Sequence, residues 1–365
     1  MSGTLYDFYA GGNTARGYAS LLHSSLQGLE RLYVLRGGAG LGKACGLRSI
    51  GDRLAAAGDE IWRISCASDP NALDGLVVPG LRLGIVDGTT PNALVPETPG
   101  AAVREIDLGE ACDTRSLAAR ESEFESLNRE ISGKFEAAYA GFAEALRIHD
   151  DWENIYIGKM DFGEADELAR EWMTRLFGDR RQEKKAREAR RFLGAATPLG
   201  AVDFVPGLTK GLKRYLLKGR PGSGKSTMLK KLAAAAAERG FDAEVYHCGF
   251  DPNSLDMVVV RELGFAIFDS TAPHEYFPDR PSDEIVDMYE RCIAAGTDEA
   301  YAEELAPIRQ QYSANMKRSI GLLAEARTLL DRLERLYAET ADRSVLERIV
   351  EEFKRDVLKL ASIQA

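Results

Sequence analysis

The chain reads YLLKGRPGSGK from Tyr215 to Lys225, and 182 residues earlier (225 − 43), from Tyr33 to Lys43, it reads YVLRGGAGLGK. The same shift places CASDPNALD, Cys66 to Asp74, over CGFDPNSLD, Cys248 to Asp256, without a gap. Such self-similarity at one fixed spacing indicates a tandem duplication. Each half of the chain is therefore predicted to fold into the same unit.

The duplication extends to both sides of these blocks. Downstream, the same shift places LGIVDGTTPN, Leu83 to Asn92, over FAIFDSTAPH, Phe265 to His274. Upstream, with one residue of slippage, four residues of the first half fall on identical residues of the second: Gly11, Thr14, Gly17 and Gly28 on Gly194, Thr197, Gly200 and Gly211. The repeat therefore covers the α/β part of each half.

A second pattern follows in each half, with large residues seven apart. In the first half these are Phe135, Phe142, His149 and Tyr156, and 181 residues later they become Met316, Leu323, Leu330 and Tyr337. A seven-residue apolar stripe predicts a long helix that packs on a partner helix in coiled-coil fashion. We expect each arm to pack on itself or on its counterpart, and we expect His149 to be a buried or half-buried structural histidine.

Each half is thus predicted to be an α/β module, a parallel sheet flanked by helices, with a long helical arm. The first module with its arm is placed at residues 1–178, and the second at residues 192–365. Residues 179–191 form a charged connector with seven basic residues. We expect a solvated helix there, with Glu183 and Glu188 interspersed, rather than a contact with nucleic acid.

Composition narrows the functional classes. The 365 residues carry a net charge of −10, with 45% hydrophobic and 28% charged residues, which is typical of a soluble globular protein. The acidic balance argues against a general affinity for nucleic acid or anionic membranes. No apolar run is long enough for a membrane span, and the N-terminus lacks the features of a signal peptide. The five scattered cysteines fit the cytoplasm and predict no zinc site.

The stretch GRPGSGKST, Gly219 to Thr227, satisfies the phosphate-binding pattern G-x-x-x-x-G-K-[ST] in full. An apolar run precedes it and a run of helix formers follows it, as this chemistry requires. The pattern predicts Lys225 on the β- and γ-phosphates and the Ser226 hydroxyl on Mg²⁺. The predicted nucleotide-binding residues are Gly219, Arg220, Pro221, Gly222, Ser223, Gly224, Lys225, Ser226 and Thr227.

Two aspartates are predicted to complete this site. Asp269 ends the apolar stretch LGFAIFD and is expected to hold Mg²⁺ directly or through water, with capping of the next turn as the alternative. Asp87 is the same residue in the first half. Asp251 could position or deprotonate a nucleophile, or it could serve only the Asp-Pro-Asn turn.

Neighbouring residues receive weaker assignments. Ser254 could cap a helix that starts at Leu255, and a structural role is favoured for Asp256. His274 could sense the γ-phosphate, and Asn92 is its counterpart. The candidate transition-state arginines are Arg220, Arg261 and Arg280.

On these motifs the second half resembles the P-loop NTPases. With the paired blocks CGFDPNSLD and FDSTAPHEYFP, the whole chain looks like a bacterial family of tandem P-loop proteins described as ATPases or ATP-binding proteins of unassigned role. The resemblance implies phosphate binding by Lys225, Mg²⁺ ligation by Ser226 and an Mg²⁺-shell role for Asp269. Its cofactors would be ATP and Mg²⁺.

The first half departs from this pattern. Gly37, Gly42 and Lys43 remain and would suffice to hold phosphates, but Ala44 and Cys45 replace Ser226 and Thr227. Alanine cannot ligate a cation. This degenerate Walker A loop is therefore expected to bind a nucleotide for regulation or structure without turning it over.

Three functions remain open. The first is an ATPase whose nucleotide state moves the helical arms against a protein partner. The second is a small-molecule kinase with Asp251 as base, and the third is a nucleotide-gated scaffold with negligible hydrolysis. ATP is preferred to GTP because no guanine-reading motif is found. The oligomeric state is left open.

Overall fold

The computed structural model describes residues 3–89, 98 and 100–364. The first half begins with short strands and ends with three helices. Its elements are β1 (Leu5–Phe8), β2 (Gly11–Thr14), β3 (Gly17–Ser20), α1 (Leu22–Ser25), β4 (Arg31–Arg36), α2 (Lys43–Ala57), β5 (Ile61–Ser65), β6 (Leu73–Val78), β7 (Leu83–Asp87), β8 (Ala102–Asp107), α3 (Thr114–Ala119), α4 (Glu121–Ile157) and α5 (Phe162–Phe177).

The second half repeats this order almost element for element. Its elements are β9 (Glu188–Phe192), β10 (Gly194–Thr197), β11 (Gly200–Asp203), α6 (Val205–Leu208), β12 (Lys213–Lys218), α7 (Lys225–Glu238), β13 (Ala243–His247), β14 (Leu255–Val260), β15 (Phe265–Asp269), β16 (Glu284–Asp287), α8 (Met288–Cys292), α9 (Thr297–Ala300), α10 (Ala302–Thr340) and α11 (Arg343–Gln364).

Each half builds a six-stranded sheet with the same strand order. The orders are β1-β5-β6-β7-β4-β8 and β9-β13-β14-β15-β12-β16. The prediction of two tandem α/β units is confirmed, but the sheets are mixed rather than parallel. β6 and β14 run antiparallel to both of their neighbours. The reason is the short connection of residues 66–72 or 248–254, which contains no crossover helix and therefore permits only an antiparallel return.

The connector differs from its prediction as a solvated helix. Residues 188–192 form β9, which pairs in parallel with β13 at the edge of the second sheet. Arg191 in this strand is 1% exposed, lies over the rings of Phe8 and Trp62, and donates to Glu244 at 3.2 Å. The connector therefore contributes a buried cation between the two halves, and the second module begins at Glu188.

The long helices α4 and α10 pack on each other in antiparallel orientation, which confirms the predicted packing of one arm on its counterpart. The ring of Phe124, near the start of α4, packs at a tilted angle on the ring of Tyr337, near the end of α10, with 4.6 Å between the ring centroids. Midway, the side chain of Ser319 lies against Gly141. His149 is half-buried, as predicted, among aromatic rings, with 5.7 Å between its ring centroid and that of Tyr312, and its structural role stays a prediction.

The last helix of each arm packs on the module of the other half. Helix α5 places Leu168 and Trp172 in the apolar core beneath the second sheet. Helix α11 places Phe353 and Val357 in the core beneath the first sheet. Residues 1–178 therefore form one unit of the sequence repeat. In the folded protein, however, α5 of this unit packs on the second module, and α11 packs on the first.

The opposite faces of the two sheets share a further core, which contains Phe8 and Leu26 from the first half and Leu193 and Leu216 from the second. Each module is thus joined to the other through this core and through the exchanged helices. Within the described part of the chain, no helix combines the length and apolar character needed to cross a membrane.

Candidate functional site

The stretch Gly219–Thr227, here called the second glycine loop, connects β12 to α7. Gly224 adopts φ +87°, the left-handed conformation that glycine tolerates, and the helix begins at the next residue, Lys225. Gly222 has φ +74°, and a Cβ there would lie 2.6 Å from the carbonyl oxygen of Glu153 in α4. The last turn of the long helix α4 therefore lies directly against this loop.

Lys225 lies at the base of the loop beside the predicted aspartate. Its ammonium group donates to the carbonyl oxygen of Arg220 at 2.9 Å and lies 3.6 Å from Asp269 Oδ2. Asp269 ends β15, which pairs in parallel with β12, and this pairing brings the two side chains together. The backbone N–H and hydroxyl of Thr271 donate to Asp269 Oδ1 at 3.0 and 2.6 Å, which fixes the carboxylate in place.

The segment after the Asp-Pro-Asn turn is a strand, so the prediction of a helix starting at Leu255 and capped by Ser254 is wrong. The extended backbone lets Leu255 N donate to Ser226 Oγ at 2.9 Å. Asp256, the next residue, lines the same cavity as Ser226 and Asp269. Burial, together with the charge of Asp269, raises the pKa of Asp256 to about 7. The sequence contained one signal for the carboxylate of Asp256. The connection after β13 is short, so β14 must return antiparallel beside β13 and carry Asp256 with it.

The second glycine loop opens into a cavity of about 1310 Å³. One wall is formed by the loop and the strand ends that carry Asp256 and Asp269, and the other by α4, α5 and α10. Pockets for a single small ligand have volumes of about 300–1,000 Å³, so this cavity has room for a nucleotide and a further molecule.

Asp251 lines this cavity but is held by an arginine from the other half. Arg16, which follows β2, donates from Nε to Asp251 Oδ1 at 2.9 Å, and Ala15 N donates to the carbonyl oxygen of Phe250 at 2.9 Å. The equivalent of Arg16 in the repeat is Leu199. Arg16 could not be predicted from sequence as a partner of Asp251, because the two residues lie 235 positions apart.

Of the three candidate arginines, one lines the cavity. Arg220 does so and donates twice to Asp298, at 3.0 and 2.7 Å. Arg261 instead donates to Glu244 at 2.6 Å, and Arg280 donates to the carbonyl oxygen of Thr209 at 2.9 Å; both lie outside the cavity lining. Their prediction as transition-state arginines is therefore wrong. Arg309 of α10 lines the cavity and was not predicted.

His274 lies at the edge of the cavity, where its ring is held by a carboxylate. Its Nδ1 lies 2.8 Å from Asp203 Oδ2, and the hydroxyl of Tyr276 donates to the other oxygen of the same carboxylate at 2.6 Å. Burial acts to raise the pKa of Asp203, but these two contacts outweigh it and hold the pKa below its usual range. Asn92, the predicted counterpart of His274, lies outside the described residues.

The first glycine loop, Gly37–Lys43, has its lysine bound within the protein. Lys43 is 6% exposed, and its ammonium group donates to Asp87 Oδ1 at 3.0 Å and to the hydroxyl of Thr89. The ring of Tyr337, near the end of α10, packs so closely on Gly38 that a Cβ there would lie 2.2 Å from it. Helix α10 therefore covers the first loop, as α4 contacts the second.

The donor set at the second loop fits a divalent cation. The Ser226 hydroxyl and the carboxylates of Asp256 and Asp269 line one cavity, and such oxygen ligands are those that Mg²⁺ prefers. The first loop retains the carboxylates of Asp74 and Asp87, and burial and the charge of Asp87 raise the pKa of Asp74 to about 7. Ala44, however, offers no oxygen.

Comparison of the chain with protein-family models, with curated proteins and with solved structures gives no match. The resemblance to P-loop NTPases therefore rests on the sequence motifs of this chain.

Proposed function

We propose that the second glycine loop binds ATP and hydrolyses it with Mg²⁺. One observation carries this proposal: Lys225, at the start of α7, lies 3.6 Å from Asp269, at the end of the adjacent strand, inside a cavity large enough for a nucleotide. A strand, a glycine loop and a helix in this order place backbone N–H groups and a helix N-terminus around an anion.

Each residue of the site has a role in this proposal. The backbone N–H groups of the second glycine loop, which Pro221 alone lacks, would surround the β-phosphate, and Lys225 would neutralise the β- and γ-phosphates. Ser226 and Asp269 would hold Mg²⁺, with Asp256 in reach of its shell, and the ion would offset the charge of the phosphates.

The first glycine loop is proposed as a structural or regulatory site without turnover. Ala44 lacks the Mg²⁺-binding hydroxyl, and Tyr337 packs on the loop. A nucleotide could enter there only if the end of α10 moved away.

The central test compares Lys225→Ala with Lys43→Ala. Lys225→Ala removes the positive charge that would stabilise the transferred phosphate in the transition state. We therefore expect the ATPase rate to fall at least 100-fold. Lys43→Ala is the matched control and should retain most of the turnover. Phosphate release by the purified proteins measures both. An unchanged rate in Lys225→Ala would overturn the assignment of the working loop, and loss of turnover in Lys43→Ala alone would show that the two loops form one composite site.

The size of the cavity favours a small-molecule kinase as the second candidate, because about 1310 Å³ exceeds the volume for one ligand. Asp251 is placed on the cavity wall, but its contact with Arg16 competes with a role as general base. ATP consumption that appears only when a hydroxylated metabolite is added would favour the kinase. ATP binding without any consumption would favour the nucleotide-gated scaffold.

A further inference from the structure

Helix α5 runs parallel to α7 and alongside it, although it comes from the other half of the chain. Met160, just before α5, packs against Gly224, just before α7. About two turns further on, Asp166 pairs with Lys231, and at the far end Phe177 packs on Phe241 with 6.2 Å between the ring centroids. The two helices are thus aligned with an offset of 64 or 65 residues (224 − 160, 231 − 166, 241 − 177). Phe162, the first residue of α5, therefore lies level with Ser226 and Thr227.

Phe162 is an exposed aromatic residue on the wall of the cavity. It is 62% exposed and lines the same cavity as Lys225 and Thr227. Its position is fixed by the preceding residue, because Asp161 Oδ1 accepts a hydrogen bond from Glu164 N at 3.0 Å and caps the helix. Exposure of a phenylalanine ring to water is unfavourable, and packing within the chain does not offset this cost at Phe162.

We propose that Phe162 is the platform on which the base of the nucleotide stacks. This inference rests on the proposed function of the second loop. With the β-phosphate inside the loop and the next phosphate at the start of α7, the ribose and base leave the loop beside Thr227. Phe162 is the exposed ring at that level, and stacking of a base on an aromatic side chain is a sequence-tolerant contact of substantial strength.

The position equivalent to Phe162 at the first module has no aromatic ring. The equivalent of α5 is α11, and Asp342 caps α11 as Asp161 caps α5, with Ser344 N donating to its Oδ1 at 2.8 Å. The next residue is Arg343 where the second site has Phe162. The exposed ring of Phe162 therefore occurs at the second glycine loop, which has the Ser226 hydroxyl. The first loop, which has Ala44 at that position, has Arg343 in place of the ring.

The test separates binding of the base from binding of the phosphates. Calorimetric titration with Mg·ATP and with Mg·tripolyphosphate, which has no base, is carried out on the full chain and on three variants. Phe162→Ala removes the ring and Phe162→Trp replaces it with another aromatic. Phe277→Ala is the matched control, because Phe277 is 66% exposed and lies outside the cavity lining.

We expect Phe162→Ala to weaken ATP binding about tenfold or more and to leave tripolyphosphate binding within about twofold. Phe162→Trp should restore ATP affinity, and Phe277→Ala should bind both ligands as the unchanged chain does. Equal ATP affinity in Phe162→Ala and the unchanged chain would overturn the platform alone, as would an equal loss for both ligands. Failure of the unchanged chain to bind ATP and tripolyphosphate would overturn the proposed function, and the platform with it.

Discussion

Ser226 and Ala44 occupy equivalent positions in the two glycine loops, and their lysine neighbours have different surroundings. Both lysines are buried, at 9% and 6% exposed, but Lys225 borders a cavity, whereas the loop that holds Lys43 is covered by Tyr337 of α10. A hydroxyl is present beside the lysine that borders the cavity, and it is absent beside the lysine whose loop is covered. At the scale of single residues, the proposed difference in turnover between the two loops therefore depends on one oxygen atom and on the access of one ammonium group.

Arg214 and Asp283 form a buried ion pair, which should make the free energy of unfolding depend on pH. Arg214 is 1% exposed and donates from Nε to Asp283 Oδ1 at 2.9 Å. The hydrogen bonds from Arg214 lower the pKa of Asp283 from 3.8 to about 2, although burial opposes this shift. Because the folded pKa is below the unfolded one, the pair stabilises the protein fully above about pH 4. This contribution, about 2 kcal/mol, should be lost as the pH falls towards 2.

Asp283→Asn tests this pair. Urea unfolding at pH 7 should show a loss of about 2–4 kcal/mol, because a buried guanidinium loses one of its two charged partners and keeps only Asp279. The difference between the variant and the unchanged protein should narrow as the pH falls from 4 to 2, because the aspartate of the unfolded chain is protonated over this range and that of the folded protein only near pH 2. A difference that stays constant over this range would show that the ion pair is not its source.

At the scale of elements, α5 and α11 are the segments that join each half to the other. The seven-residue stripe predicts only that α4 and α10 have apolar faces, and the structure pairs these faces with each other. A protein partner of the arms, as predicted from sequence, would therefore have to use their outer surfaces or displace one helix from the other. This prediction stays open to experiment.

Phe353→Ala tests the exchange of helices. Phe353 of α11 is 5% exposed and lies 5.3 Å from the ring of Tyr33 in the first sheet. Removal of a buried phenylalanine ring leaves a cavity and should lower the free energy of unfolding by about 3–5 kcal/mol. Phe277→Ala, at an exposed position, should change it by less than about 1 kcal/mol. If the two variants are equally stable in urea, α11 does not pack on the first module.

At the scale of the whole molecule, the two modules are interlocked. The shared core joins the opposite faces of the two sheets, and Arg191 lies buried between Trp62 of the first half and Glu244 of the second. Helices α5 and α11 are exchanged between the halves, so neither module has its full core when the other unfolds.

This interlocking predicts that the whole chain unfolds in one cooperative transition. Differential scanning calorimetry should give a single peak, and the calorimetric and van't Hoff enthalpies should agree. The polypeptide of residues 1–178 alone would lack α11 and the facing sheet, so it should not unfold cooperatively. Two separate peaks for the full chain would show that the modules fold independently.

The sequence alone determined the duplication, the mixed α/β and helical character of each half, and the meeting of Lys225, Ser226 and Asp269. These features are local, because the glycine loop is one contiguous motif and Asp269 ends a strand beside it. The long helices were also predictable, since an apolar stripe with a seven-residue period has one structural explanation.

Only the tertiary structure decided which segments meet across the chain. The exchange of α5 and α11, the contact of Arg16 with Asp251 and the placing of Phe162 in the same cavity as Thr227 join residues far apart in sequence. An amphipathic helix shows that it has an apolar face but not which of two similar modules covers it. The duplication sharpens this ambiguity, because both modules offer nearly the same surface, and only packing of the complete chain selects one of them.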